Sequence, residues 1–270
     1  MVLIYKNDAK IIMKISNKRT GKYFQIFGFC LIFVAAFVTA QAQAGKLTVI
    51  SDGRDQSESA PETPAEYQLI KKEVKKNEAL IKEKSELDCN DEADDSFGIV
   101  GAANGSFTRP NVSQKAYLYE LCRSGRSFGI GGIVIVEAGR VVAHYTYGEN
   151  GLNSDIAALP DINQNGLSEI LLIGGGTGQG YTMGAVEIVE IVPGGIKSFG
   201  IADTYEDNFG TENAKKSAKA FKVSVQAGKT PVYFRETYTR KSEEGKWILA
   251  GKSQKYSLRK DYEPKYHKIS

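Results

Sequence analysis

From residue 96 onward the chain reads as short β-patterned segments punctuated by turn residues, with no strongly amphipathic helix between any two of them. Ile133–Val136 and Val141–Tyr147 flank Ala138-Gly139 and predict a hairpin. Val186–Val192 turns at Pro193-Gly194 into Ile196–Ile201, and Ala220–Val225, Val232–Thr239 and Trp247–Ala250 follow, with Gly228-Lys229 and Glu244-Gly245 at the turns. A parallel sheet needs long crossovers between its strands, usually helical, so their absence argues against βαβ architecture. The expected fold class is all-β, with antiparallel strands in propeller-blade-like or sandwich-like sheets over residues 88–258. Alternation along Val141–Tyr147 places Val141, Ala143, Tyr145 and Tyr147 on the core face and turns His144 toward solvent. A loose repeat of strand, loop, strand and hairpin recurs near 98–147 and 154–201 and, in degraded form, near 218–258. Three units fall short of the four to eight blades of a propeller. One chain is therefore expected to form a small closed or sandwich-like domain, with a full propeller only by homo-oligomerisation.

The N-terminus has the layout of a signal peptide over residues 1–44. Lys14, Lys18, Arg19 and Lys22 precede the apolar stretch Ile26–Ala40, and Ala42-Gln43-Ala44 offers a small-x-small cleavage site. A start at Met13 brings the segment closer to ordinary signal length than Met1 does. The apolar stretch is shorter than the ~20 residues of a membrane span, and Cys30 lacks the pattern of a lipidated cysteine. The expectation is a secreted or periplasmic protein with no stable membrane anchor. Removing residues 1–44 takes away six Lys/Arg and one acid, Asp8, leaving 29 basic against 31 acidic residues. A balance so near neutral supplies no electrostatic ground for binding nucleic acid.

Residues 45–64, with Ser, Asp, Glu, Pro61 and Pro64, read as a flexible linker. Over 65–87, Tyr67, Ile70, Val74 and Ile81 fall at helical spacing and Glu78–Lys82 is a favourable i, i+4 pair, predicting one charged helix with a thin apolar stripe. Asp88–Asp95 alternates oxygen-bearing side chains but has no turn glycine, and reads as a solvated acidic connector. Residues 259–270 read as a frayed tail. Two cysteines follow the signal segment. In an oxidising compartment Cys89 and Cys122 are most simply a disulfide, the other reading being two separate buried thiols.

The segment Asp161-Ile-Asn163-Gln-Asn165-Gly166-Leu167-Ser168-Glu169 is the most informative for function. It sets oxygen-bearing side chains at its positions 1, 3, 5 and 9, with a glycine at 6 where the backbone must turn. Alternate side chains of a tight loop can converge on one point, which suits a hard cation that takes several oxygen ligands. An EF-hand is excluded, because its twelfth position would be Leu172 and the flanks are apolar strands rather than helices. The other reading is a plain hairpin turn at Asn165-Gly166, although a turn alone has no need of Asp161 and Glu169.

Over residues 154–192 this loop and its flanking strands resemble one FG-GAP/VCBS-type repeat, the blade unit of integrin-alpha-like propellers. The resemblance implies one calcium ion held by the side chains of Asp161, Asn163, Asn165 and Glu169 and the backbone carbonyl of Leu167. Two carboxylates imply weak affinity, in the ~10⁻⁴–10⁻³ M range of extracellular modules. It also implies a binding or recognition module for a protein or glycan ligand, with calcium in a structural role.

Other chemistry is thinner. Gly125-Arg126-Ser127-Phe128-Gly129 matches a nucleophile elbow but leads into a strand, whereas the elbow needs a helix there. Gly174–Gly180 spaces glycines without the Lys-Ser/Thr of a P-loop. Asp203, Glu206, Asp207 and Glu236 are the plentiful acid–base groups, and a carbohydrate-active enzyme using a pair of them is the alternative function. A purely structural envelope protein is the third.

Overall fold

A computed structural model of the chain describes residues 6–7, 10–11, 46–55, 62–85, 97–124, 128–148, 153–212, 215–261 and 265–270. The chain divides into two compact units, 1–45 and 46–270. In the first, β1 (Lys6–Asn7) and β2 (Lys10–Ile11) pair antiparallel. Met13, the apolar stretch 26–40 and the expected cleavage site lie outside the described residues. Among the described residues no helix is long and apolar enough to cross a membrane.

The second unit is all-β, with antiparallel strands in two sheets packed as a sandwich. Strands β4 (Gly98–Gly105), β5 (Gln114–Ser124), β6 (Phe128–Glu137) and β7 (Arg140–Gly148) form a meander, and β16 (His267–Lys268) adds to β7 to complete a five-stranded sheet. A second meander comprises β8 (Asn153–Ala158), β9 (Ile170–Gly178), β10 (Tyr181–Val192) and β11 (Gly195–Asp207). It continues through β12 (Ala218–Gln226) and β13 (Val232–Arg240) to β14 (Ile248–Leu249), while β15 (Gln254–Tyr256) pairs with β13 and β3 (Leu47–Asp52) pairs with β12. The first two sequence repeats thus correspond to the two meanders, while the third is absorbed into the larger sheet. The Val192–Gly195 pair closes over Pro193-Gly194; Gly194 has φ +92°, the left-handed position that the third residue of a type II turn requires.

Three apolar clusters define the layers. Between the sheets, Leu118, Ile133, Ile135, Ala143 and Tyr145 meet Ile156, Ile170, Leu172, Val189 and Ile191. The far side of the large sheet gathers Leu171, Val186 and Ile188 with Ile50, Ala202, Val223, Val225 and Tyr233, so the sheet curls until β3, β12 and β13 cover the back of β9 and β10. The outer face of the five-stranded sheet is covered by two helices, α1 (Pro64–Lys76) and α2 (Glu78–Ser85). Thr63 caps α1 in a capping box with Glu66, and Ile70, Val74 and Ile81 are fully buried against Tyr117, Tyr119 and Val134. The apolar stripe predicted for 65–87 is therefore correct, but the single helix is two, divided at Asn77.

Four local expectations change. His144 is completely buried, and not at solvent, because the helices cover the face that alternation assigned to water. Val141 joins that same helix-side cluster instead of sharing a face with Ala143, since the ladder skips a residue between the pairs Val136–Val141 and Ile135–Ala143. Leu47–Asp52, inside the expected linker, is a strand paired along β12. Within the expected tail, β16 pairs with β7, and Ile269 N–H donates to the His144 carbonyl at 2.8 Å.

Candidate cation-binding loop

Residues 159–169 connect β8 to β9 and are fixed from several sides. Leu159 N–H donates to the Glu169 carbonyl at 2.8 Å, closing the base of the loop. Ile162 is buried in the cluster under β9 and β10, and its carbonyl accepts from Gly228 N–H at 2.9 Å, tying the loop to the β12–β13 turn. Ser168 and Ser106 exchange two hydrogen bonds, Ser168 N–H to the Ser106 carbonyl at 2.8 Å and Ser106 N–H to Ser168 Oγ at 3.1 Å. Gly166 has φ +90° and lies against Pro110, so the turn needs glycine both for its backbone and for space.

The side chains expected to share a function lie together within this loop. Asp161 accepts at Oδ1 from Asn165 N–H, 3.0 Å, and at Oδ2 from Gly166 N–H, 2.7 Å. Asn163 Oδ1 accepts from Asn165 N–H at 3.1 Å, and Asn165 Oδ1 from Leu167 N–H at 2.9 Å. These bonds wind the backbone around the acidic first residue. Each amide oxygen and each carboxylate oxygen retains further lone-pair capacity.

Glu169 forms the floor. It is fully buried; Oε2 accepts from Ile162 N–H at 2.9 Å, and Oε1 has no hydrogen-bond partner among the described residues. Burial pushes its carboxyl up to about 7, partly offset by the bonds from the Ile162 and Glu169 N–H groups, and the charges of Glu190 and Asp161 push the same way as burial. The buried Tyr233 hydroxyl, also without a hydrogen-bond partner among the described residues, is raised by burial and by the charge of Glu169.

Glu190, on β10, was not among the residues singled out from the sequence. It is 2% exposed and accepts at Oε1 from Asn163 Nδ2, at 3.0 Å, and from Asn165 Nδ2. The available signal was a carboxylate in an otherwise apolar strand, on the face shared by Val186 and Ile188. Among the described residues no group of three or more His, Cys, Asp or Glu side chains stands close enough to hold a metal ion by itself. A cation here would therefore draw on the Asn163 and Asn165 amides as well. The donor set is wholly oxygen, which suits calcium or another hard cation and not zinc.

Of the remaining candidates, Glu206 and Asp207 line one shallow cleft with Tyr181 and Met183, while Asp203 and Glu236 are not part of its lining. Asp203 pairs with Arg259 at 2.8 Å and Glu206 with Lys219 at 2.5 Å; Asp207 accepts from Phe209 N–H at 2.9 Å, and Glu236 from Tyr238 Oη at 2.9 Å. Each is a partly exposed carboxylate already engaged locally. The Gly174–Gly178 run is the end of β9, laddered to β10 with no helix after it. Ser127, Cys89 and the Asp88–Asp95 connector lie outside the described residues. Cys122 is buried at the helix-side cluster and is engaged rather than free. No protein-family model and no curated protein matches the chain.

Proposed function

We propose that the chain is an exported β module that binds one calcium ion at residues 161–169 and presents a recognition surface to a protein or glycan ligand. The observation that carries the calcium reading is Glu169: a carboxylate with no exposure, one oxygen unpartnered among the described residues, in a loop of oxygen-bearing side chains. Burying such a group without a compensating charge is costly, and a cation in the loop would remove that cost. Its role is structural, holding the β8–β9 connection to the curled sheet, as the resemblance to FG-GAP/VCBS-type repeats implies. A recognition surface is favoured by the free end of the β9–β10 hairpin. There Tyr181 and Met183, 51% and 64% exposed, border a shallow cleft of about 250 Å³ with Asn208 and Ser217.

A thermal melt in excess EGTA and then in millimolar calcium tests the first part. At a free concentration of 100 Kd a single site adds about 2.7 kcal/mol. For a domain of this size that corresponds to a rise of about 5–10 °C. The rise should be absent with Asp161→Ala; a wild-type melt indifferent to calcium would leave the loop a hairpin turn. A polysaccharide screen tests the second part. Binding without turnover supports a module, whereas turnover abolished by Glu236→Gln would establish the enzyme alternative.

A further inference from the structure

We infer that the pocket where β14 and β15 part along β13 is an anion site, taking a tetrahedral oxyanion, sulfate or phosphate, on the guanidinium of Arg235. The site uses none of residues 161–169 and is independent of the calcium reading.

The pocket arises from a mismatch in the ladder. β13 pairs with β14 through Tyr238–Leu249 and with β15 through Arg235–Gln254, so residues 250–253 lie opposite Glu236 and Thr237 alone. Ala250 N–H still donates to the Thr237 carbonyl at 2.8 Å, and the surplus residues then bow away from β13 until Gln254 rejoins it. The bow opens a pocket of about 120 Å³ whose lining includes Arg235, Thr237, Lys252, Gln254, Lys255 and Tyr256. Sites that enclose a whole small molecule run to about 300–1,000 Å³, so this one suits a single charged group.

Arg235 gives the pocket its chemistry. Its guanidinium lies over the Phe221 ring of β12, 4.6 Å from the centroid, and over the Tyr256 ring of β15, 4.4 Å from the centroid. Those strands flank β13, so the two rings hold the side chain from either side. Arg54, Arg109 and Arg259 each meet a carboxylate. Among the described residues Arg235, Lys252 and Lys255 form no ion pair, and the lining of the pocket contains no Asp or Glu. Aromatic rings order a guanidinium, but they neither neutralise it nor satisfy its N–H donors. A tetrahedral dianion does both. It accepts a bidentate pair of bonds from the arginine fork and leaves oxygens for the Lys252 and Lys255 ammonium groups, the Thr237 hydroxyl and the Gln254 amide. A carboxylate, with a single charge and fewer oxygens, answers less of this lining. Because Arg235 is already ordered, little side-chain entropy is lost on binding.

Calorimetric titration of the protein with inorganic phosphate or sulfate tests the inference, in calcium-free buffer with ionic strength held constant by sodium chloride. Wild type should bind either anion saturably at one site, and acetate several-fold more weakly. Lys252→Ser combined with Lys255→Ser removes two exposed side chains, leaves the packing of Arg235 in place, and should weaken binding by about tenfold. The same loss of charge at the exposed Lys229 and Lys260, outside the pocket, should leave the affinity within about twofold of wild type. Arg235→Lys keeps the charge without the fork and should bind several-fold more weakly. If Arg235→Lys does not fold, the Lys252 and Lys255 substitutions decide the matter. Dextran sulfate, with unsulfated dextran as control, separates the sources of the group. Displacement of phosphate by dextran sulfate supports the sulfate ester of a glycan, and binding of the free ions without such displacement supports a small anion. Wild type without saturable anion binding would overturn the inference, as would the doubly substituted Lys252 and Lys255 protein binding as wild type does. Either failure would leave the calcium reading intact.

Discussion

The Tyr119 hydroxyl stands 2.9 Å from His144 Nε2, in a layer of the molecule that no solvent reaches. Gly132 makes this possible, since a Cβ there would lie 2.4 Å from the same hydroxyl. On its other side His144 Nδ1 is 3.5 Å from Glu73 of α1, and its backbone holds the C-terminal strand through Ile269 and Ser270. Helix, sheet and C-terminus therefore meet at one imidazole. Burial pushes that imidazole down to about 4, although Glu73 acts in the opposite sense.

The pH dependence of stability follows from two opposed groups. His144 binds its proton more readily unfolded than folded, so its contribution is lost as pH falls from about 6.5 toward 4. Glu169, raised to about 7 when folded without a cation, holds its proton more tightly folded, so it adds stability as pH falls from 7 toward 4.5. In EGTA the two act in opposite directions across pH 5–6.5. Glu169→Gln should unmask the histidine, giving urea midpoints that rise with pH over this range. His144→Gln should give midpoints that fall. Equal slopes in the two variants would contradict the assignment.

At lower pH another group takes over. Glu66 is held down near 2 despite the cost of burial, with Thr63 N–H donating to it at 2.7 Å and Lys115 Nζ at 3.2 Å. Its contribution is present above about 4.5 and lost as pH falls toward 2. Glu66→Gln should flatten the acid limb of the stability curve between those values. Far-UV circular dichroism at pH 2–5 reads the difference, and an unchanged limb would remove Glu66 from the account.

What could be read in advance was whatever depends on neighbours in sequence. Asp161, Asn163, Asn165 and Gly166 form their loop through bonds spanning two to five residues, so spacing sufficed. Glu190 meets the same loop from 25 and 27 residues away, through the register of β9 on β10, which local pattern does not encode. His144 was misplaced for a related reason. Alternation assumes one wet face, whereas helices α1 and α2 dry the outer side of its sheet. The strand Leu47–Asp52 escaped notice because its ladder partner, β12, lies some 175 residues on, and two of its apolar residues, Leu47 and Val49, remain exposed.

Helix docking should be separable from the loop. Ile70 has no exposure and packs on the outer face of the five-stranded sheet, while Glu169 lies at the back of the larger one. Ile70→Ala should cost about 2–5 kcal/mol, read as a lower urea midpoint. The increment in stability on adding calcium should match wild type, because distant sites add. A lost calcium increment would show that the helices and the loop are coupled.

The proposed Cys89–Cys122 bridge has a sharper test than its spacing alone provides. Cys122 sits on β5 beneath the helices, so a bond to Cys89 would tether the connector after α2 to the sheet that α2 covers. Closing a loop of about 32 residues is worth roughly 3–4 kcal/mol in chain entropy. Reduction should lower the urea midpoint by that amount, and Cys89→Ser should reproduce the loss without any further effect of reductant. The calcium increment should persist in both cases, since the bridge acts on the helix side of the molecule and the loop on the opposite one. Protein whose cysteines both alkylate without prior reduction would show two thiols, and the helix layer would then be held by non-covalent packing, with Ile70, Val74 and Ile81 at its centre.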